Sequence, residues 1–320
     1  MRVSLADAIA LLKRGEVVAI PTETVYGLAA DASNDAVLQK IYALKQRPAN
    51  NPLIIHLSGA DQVTQFAANF PPLAQKMAQA FWPGPLTLVL KSKPEVSQVV
   101  RAHADTVALR VPNHPVTLQL LQESHLALAA PSANRYTQLS PTTADHVEAG
   151  LGADVPVLDG GACHVGIEST IVSVEGDTWQ LLRHGMISTA QIEAVAGKPA
   201  IQNPTQVPKV PGQHLLHYSP RTPSLLFQQR ADLLKYAQQH TNCVALLIGA
   251  EEIAEKTASN LAHIISLPDQ PAQAAEHLYE ALHQLDQLKA QSILIELPPA
   301  TEAWAAILDR LTRAGYRENT

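Results

Sequence analysis

Apolar positions along this chain follow two rhythms, one helical and one continuous. Residues 4–14 carry Leu5, Ile9, Leu11 and Leu12 at helical spacing, with Ser4 placed to cap the start and Gly15 to stop the end. Val17–Ile20 is a short unbroken apolar run closed by Pro21, which predicts a buried strand. Asn34 or Asp35 caps a second helix whose core stripe is Val37, Leu38, Ile41 and Leu44. Pro52–Leu57 reads as the next strand. The stretch from Val17 to Leu57 thus predicts strand, Thr- and Gly-rich turn, helix, basic tripeptide and strand, and the rest of the chain is read around it.

A helix is predicted around 61–80. FWPGPLTLVL at 81–90 opens a strand after Pro-Gly-Pro, with Phe81 and Trp82 as a core staple or, alternatively, a base-stacking pair. TVALRVPNHP (106–115), LALAAPSAN (126–134), STIVSV (169–174) and TWQLLRHG (178–185) supply further strands. Six prolines between 198 and 224 predict a semi-rigid linker on the surface. Beyond it the apolar runs SLLF, CVALLIG, HIISLP and SILIELP alternate with helical patterns at 230–240, 251–262, 271–289 and 302–314. That alternation predicts a small, mostly parallel α/β domain, and the absence of polar motifs in it suggests packing or regulation.

Composition narrows the picture. A chain of 320 residues with 46% hydrophobic and 16% charged residues has length for more than one core. No run of 18 apolar residues exists, and the N-terminal stretch is no signal peptide, so a cytoplasmic protein is expected. Cys163 and Cys243 are far apart, which argues against a disulfide scaffold and a structural zinc site. A net charge of −6 argues against a large nucleic-acid footprint. Within that acidic chain, residues 36–60 hold Lys40, Lys45 and Arg47 and no Asp or Glu, a locally positive spot suited to an anion.

Candidate chemistry sits at the joints between elements. Arg47 precedes Pro48, so the helix should end near Leu44 and Lys45-Gln46-Arg47 should run extended, aiming both cations one way. Such a pair suits a polyphosphate; two solvated charges are the plain alternative. Arg110 lies in an apolar strand and requires an anionic partner, either a protein carboxylate or a substrate carboxylate. Ser132 and Asn134 follow Pro131 at i and i+2, and His56 sits in an apolar strand, where a core histidine is the alternative to a ligand. Thr22, Glu23 and Thr24 stand at a strand exit. Ser140 begins SPTT, which reads as a helix start with Pro at the first position. Glycines 160, 161 and 166 allow close approach of a ligand, yet their spacing fits no phosphate-loop motif. His214 and His217 lack a third metal ligand.

The runs PTETVYGLAADA (21–32), KQR (45–47) with NPLIIH (51–56), and PSAN (131–134), in this order, resemble the YrdC family of threonylcarbamoyl-adenylate synthases. The resemblance covers roughly residues 1–222, and the remainder resembles the family's longer form. It implies an α/β fold: a twisted mixed sheet with a large concave cleft, plus a smaller C-terminal Rossmann-like α/β domain. The expected divisions are 1–200, a linker 201–223 that closes over the site, and 224–320. The implied reaction joins L-threonine, bicarbonate and ATP into L-threonylcarbamoyl-adenylate and pyrophosphate, for a tRNA modification completed by partner proteins. Implied roles give Lys45, Arg47, Asn51, Ser132, Asn134, Ser140, Arg183 and Tyr218 to ATP, with Lys45, Arg47, Ser132 and Asn134 at its catalytic core. Thr24, His56, Arg110, Ser169 and Thr170 go to threonine. Mg2+ is expected to arrive on substrate phosphates, with no dedicated protein site. A non-catalytic RNA-binding module and a carbamoyl-adenylate-forming enzyme are the alternatives.

Overall fold

The computed structural model describes residues 1–201, 208–212, 218–249 and 260–315. The chain divides into two compact units: one of Met1–Tyr136, Pro141–His164 and Glu168–Gln213, the other of Thr137–Ser140, Val165–Ile167 and His214–Thr320.

The first unit is built on one mixed sheet. Its strands are β1 (Arg2–Val3), β2 (Val18–Ile20), β3 (Gly27–Asp31), β4 (Ile54–His56), β5 (Leu86–Lys91), β6 (Thr106–Arg110), β7 (Leu128–Ala129), β8 (Val157–Leu158), β9 (Thr170–Glu175) and β10 (Thr178–Arg183). They form a 10-stranded sheet in the order β1-β8-β2-β3-β7-β4-β6-β5-β9-β10. Period-two alternation sorts side chains to its two faces. Ile55, Leu86, Leu88, Leu90, Leu109 and Val172 enter the large core, whereas Ile54, Val89, Ala108 and Ile171 form a smaller apolar cluster. His56 therefore shares a face with Ile54, and Arg110 with Ala108. His56 and Arg110 are register partners in the parallel β4–β6 pair, which sets them side by side.

The first helix, α1 (Leu5–Lys13), is capped by Ser4 as its sequence requires, and α2 (Asp35–Lys45) is capped by Asn34, whose side chain accepts from the Val37 amide. Four expectations need correction. Gly27–Asp31, read as part of a turn, is a strand paired antiparallel to β2; its small residues carry no β-branched signal. The pattern at 61–80 is two helices, α3 (Val63–Phe66) and α4 (Pro72–Phe81), because Ala67 leaves to bridge Ser92 and Pro71-Pro72 forces a restart. Leu44 is 38% exposed, and Tyr42 and Lys45 occupy the inward face instead. SPTT does not start a helix at Pro141: Thr143 caps α6 (Ala144–Leu151), which follows α5 (Pro115–Ser124). The last helix of this unit, α7 (Thr189–Ala196), opens with a full Ser188–Gln191 capping box.

The linker is not wholly a surface segment. Val210 is buried in the cluster of Ile54, Val89, Ala108 and Ile171, and the Pro211 carbonyl accepts from Arg183 Nη1 at 3.1 Å. Its apolar Val210 overrides its Pro-rich surroundings. His214 and His217 lie outside the described residues.

Among the described residues the second unit has four parallel strands, β11 (Ser224–Phe227), β12 (Cys243–Ile248), β13 (Leu261–Leu267) and β14 (Ser292–Glu296), in the order β11-β14-β12-β13. Helices α8 (Arg230–Gln239), α9 (Pro271–Gln287) and α10 (Ala305–Gly315) connect and cover them. The helix expected at 251–262 falls outside the described residues for 251–259, and Leu261 already belongs to β13.

Candidate active site

The clasp between the basic tripeptide and the PSAN loop is the first part of the site. Helix α2 ends in a Schellman arrangement: the Gln46 amide donates to Ala43 O at 3.1 Å and the Arg47 amide to Tyr42 O at 2.9 Å, with Gln46 in the left-handed region at φ 53°. The tripeptide is thus a helix end and a reversal. This corrects the extended reading, in which both cations leave one side. Lys45 Nζ donates to Ser132 O at 2.5 Å and Asn134 O at 2.6 Å. Arg47 turns back on its own loop, donating to Asn51 O at 3.3 Å and Pro52 O at 2.9 Å. The chain also turns after Pro131: the Asn134 amide donates to Ser132 O at 3.0 Å, so Ser132 and Asn134 are not successive same-side positions of a strand. The two motifs nonetheless meet, through backbone carbonyls. An ammonium has three donors, and two are committed here, leaving one for a ligand.

Burial governs the charge of this clasp. Lys45 is 1% exposed, and desolvation, then Arg47, holds its ammonium well below the ordinary lysine range, with Glu168 pulling the other way. Glu168, buried and close enough to act on Lys45, was not singled out from the sequence.

The second part lies around Arg110. Its Nε donates to Gly84 O at 3.2 Å, its Nη1 to Thr24 Oγ1 at 2.9 Å, and its Nη2 is 2.7 Å from Glu23 Oε1, with side chains 4% and 1% exposed. The anionic partner that a buried guanidinium requires is therefore Glu23, a protein carboxylate. Thr22 Oγ1 donates to Val25 O at 2.6 Å, so in its 2.8 Å contact with Thr24 the Thr24 hydroxyl is the donor. Thr24 is left with lone-pair capacity only. His56, against Arg110, is held neutral: burial and then the guanidinium lower its pKa to about 3, the backbones of Ile54 and Leu128 partly opposing. His114, buried at the start of α5, is also pushed down, first by burial, with Gly160 and Glu23 opposing. Cys163 responds to the charges of Glu23 and Arg110, and burial pushes its thiol up to about 12, so it stays protonated and unreactive. His114 was missed as a site residue, and Glu23 was noted only as part of the strand exit with no role of its own; the buried Arg110 was the signal that a carboxylate would accompany it.

Arg183 and Ser169 form a third group. Arg183 Nη2 donates to Ser169 O at 2.9 Å and Ser169 Oγ at 3.1 Å, and Ser169 Oγ also meets Thr87 Oγ1 at 2.8 Å. Thr170 Oγ1 donates to Ile187 O and accepts from the Ile187 amide, which makes it a clip in the frame. Ser140 and Tyr218 belong to the second unit. There the Ser140 carbonyl accepts from His283 Nε2 at 3.1 Å, and the Tyr218 ring lies 6.0 Å from Tyr279 and beneath the Arg310 guanidinium at 5.1 Å. Among the described residues no group of three His, Cys, Asp or Glu could hold a metal ion, and no helix is long and apolar enough to cross a membrane.

Residues 10–185 match the Sua5/YciO/YrdC family model, described as telomere recombination, and residues 187–315 match the model for the threonylcarbamoyl-AMP synthase C-terminal domain. A threonylcarbamoyl-AMP synthase of Bacillus subtilis is 39% identical over 319 residues, spanning 97% of this chain and 92% of that protein. One of Pyrococcus abyssi is 34% identical, spanning 97% and 94%. The crystal structure of P. abyssi Sua5 complexed with L-threonine superposes with a TM-score of 0.87 at 31% identity, covering 98% of this chain and 96% of that one.

Proposed function

The chain belongs to the Sua5/YrdC family, whose relatives are threonylcarbamoyl-AMP synthases, and from that premise we propose that it condenses L-threonine, bicarbonate and ATP to L-threonylcarbamoyl-AMP with release of pyrophosphate. The observation that carries the reading is the clasp: Lys45 is bound by the carbonyls of Ser132 and Asn134, in the same unit as the Arg110–Glu23 pair. A buried cation and a buried carboxylate-reading guanidinium in one unit suit a reaction that brings a polyphosphate to an amino acid.

Threonine's amine captures bicarbonate as a carbamate with loss of water, and a carbamate oxygen attacks the α-phosphate of ATP, breaking the bond to the β-phosphate so that pyrophosphate leaves. Such a transfer depends on positioning and charge neutralisation, with no covalent enzyme intermediate. Arg110 takes the threonine carboxylate with the donors left by Gly84, Thr24 and Glu23. Thr24 accepts from the substrate, and neutral His56 offers a ring nitrogen. Lys45 and Arg47 neutralise developing phosphate charge. Ser132, Asn134, Asn51 and Arg183, all of the first unit, are assigned to the nucleotide, and Ser169 holds Arg183 in place. Mg2+ would enter on the phosphates, held by their oxygens and water. The product would supply the threonylcarbamoyl group for adenosine modification in tRNA, transferred by other proteins.

Threonine-dependent pyrophosphate release tests the reading. Lys45→Met, which keeps the bulk of the side chain and removes the charge, should lower turnover by at least ~100-fold, the scale expected for loss of one preorganised charge, while circular dichroism stays native. Turnover within a few-fold of wild type would remove Lys45 from the site.

A further inference from the structure

Five side-chain atoms that are buried without an aligned hydrogen bond belong to residues that act on one another: Glu23 Oε1 and Oε2, His56 Nδ1, Arg110 Nη2 and His114 Nδ1. Glu23 Oε1 is 2.7 Å from Arg110 Nη2, His56 is the register partner of Arg110, and His114 responds to the charge of Glu23. Folded proteins satisfy nearly all buried polar atoms, so the three that lie outside the Glu23–Arg110 ion pair, Glu23 Oε2, His56 Nδ1 and His114 Nδ1, mark a place prepared for a polar ligand. Their chemistry is specific. Arg110 offers donors, whereas Glu23 Oε2 accepts only, and Glu23 carries the cluster's formal negative charge.

We propose that Glu23 receives the α-ammonium of the amino-acid substrate, so that Glu23 and Arg110 together read a zwitterion from its two ends. The proposal rests on the function given above. Arg110 alone would admit any small carboxylate. With Glu23 beside it the empty cluster is neutral, and it stays neutral when a zwitterion enters; an acid lacking the ammonium would bring an uncompensated negative charge into a buried place. Thr24 fits the same logic, because its hydroxyl proton is directed to Thr22 and it faces a ligand as an acceptor. Selectivity for an α-amino acid over its hydroxy-acid or des-amino counterpart is then built into the strand exit at 22–24.

Calorimetric binding of L-threonine and of 3-hydroxybutyrate, its des-amino analogue, to the full chain tests this, alongside threonine-dependent pyrophosphate release. The wild type should bind threonine at least ~100-fold more tightly than the analogue, since sites built around a substrate N–H reject ligands lacking it strongly. Glu23→Gln should lose at least ~30-fold in threonine affinity and most of that selectivity, with the KM for ATP moved less than ~3-fold, and Glu23→Asp should recover part of the loss. A folded Glu23→Gln chain that binds threonine within ~3-fold of wild type overturns the proposal. So does a wild type that takes 3-hydroxybutyrate as well as threonine, a result needing no variant. A wild type that shows ammonium selectivity but releases no pyrophosphate supports the inference and retires the adenylate reading instead.

Discussion

His56 shows what burial does to a single titratable group. Its folded pKa of about 3 lies below the ordinary value of ~6.5, so as pH falls through 6.5 the unfolded chain gains a proton that the folded chain refuses, and stability drops until about pH 3. Between pH 7 and pH 5 this group should cost wild type about 2 kcal/mol that a His56→Gln chain does not lose, as measured by denaturant midpoints at the two pH values. An equal acid loss in both proteins would mean that His56 titrates freely in the fold. At this scale the sequence was informative where chemistry forces a consequence. A guanidinium in an apolar strand had to have an anionic partner, and it has Glu23. Which carboxylate it was could not be read, because only folding brings the turn at 22–24 to the end of β6. The i, i+2 arguments for Lys45 and Arg47 and for Ser132 and Asn134 failed, since they presumed extended backbone where the chain reverses.

Helix α2 is the element that delivers the basic tripeptide, so its two ends set where Lys45 lies. The Asn34 side chain accepts from the Val37 amide at 3.3 Å, and the Schellman turn at Gln46 ends the helix at a residue that aims inward. Asn34→Ala should lower stability by about 1 kcal/mol in equilibrium unfolding, and turnover at saturating substrates should hold, because the Schellman end is untouched. An unchanged unfolding midpoint would show the cap to be idle. Strands and helices with strong periodicity were legible: all four strands of the second unit fall where apolar runs predicted them. What escaped were elements made of small residues, such as Gly27–Asp31, and reversals whose left-handed residue is Gln rather than Gly. The Pro-rich linker misled in the same way, since composition does not show that one residue, Val210, finds an apolar cluster to enter.

Charge distribution over the whole chain separates a catalyst from a nucleic-acid-binding module. The chain carries 23 Lys and Arg against 29 Asp and Glu, and the cations assigned to substrate anions are turned inward: Lys45 is 1% exposed, Arg110 3%, and Arg47 and Arg183 7% each. Binding to a duplex backbone needs cations at the surface, each releasing condensed counterions, which gives steep salt dependence. Buried cations cannot do this, yet they suit a small polyanion that enters the fold and sheds its water, where a low dielectric strengthens every contact. Unmodified tRNA should accordingly bind no more tightly than the non-specific range of ~10⁻⁴–10⁻⁶ M at physiological salt, while pyrophosphate release with threonine, bicarbonate and ATP proceeds at the same rate with or without tRNA. Filter binding across a salt series and the release assay, run on one preparation, decide the matter. Nanomolar, steeply salt-dependent tRNA binding in a chain with no threonine-dependent release would place the function on the protein's surface and not in its buried cations.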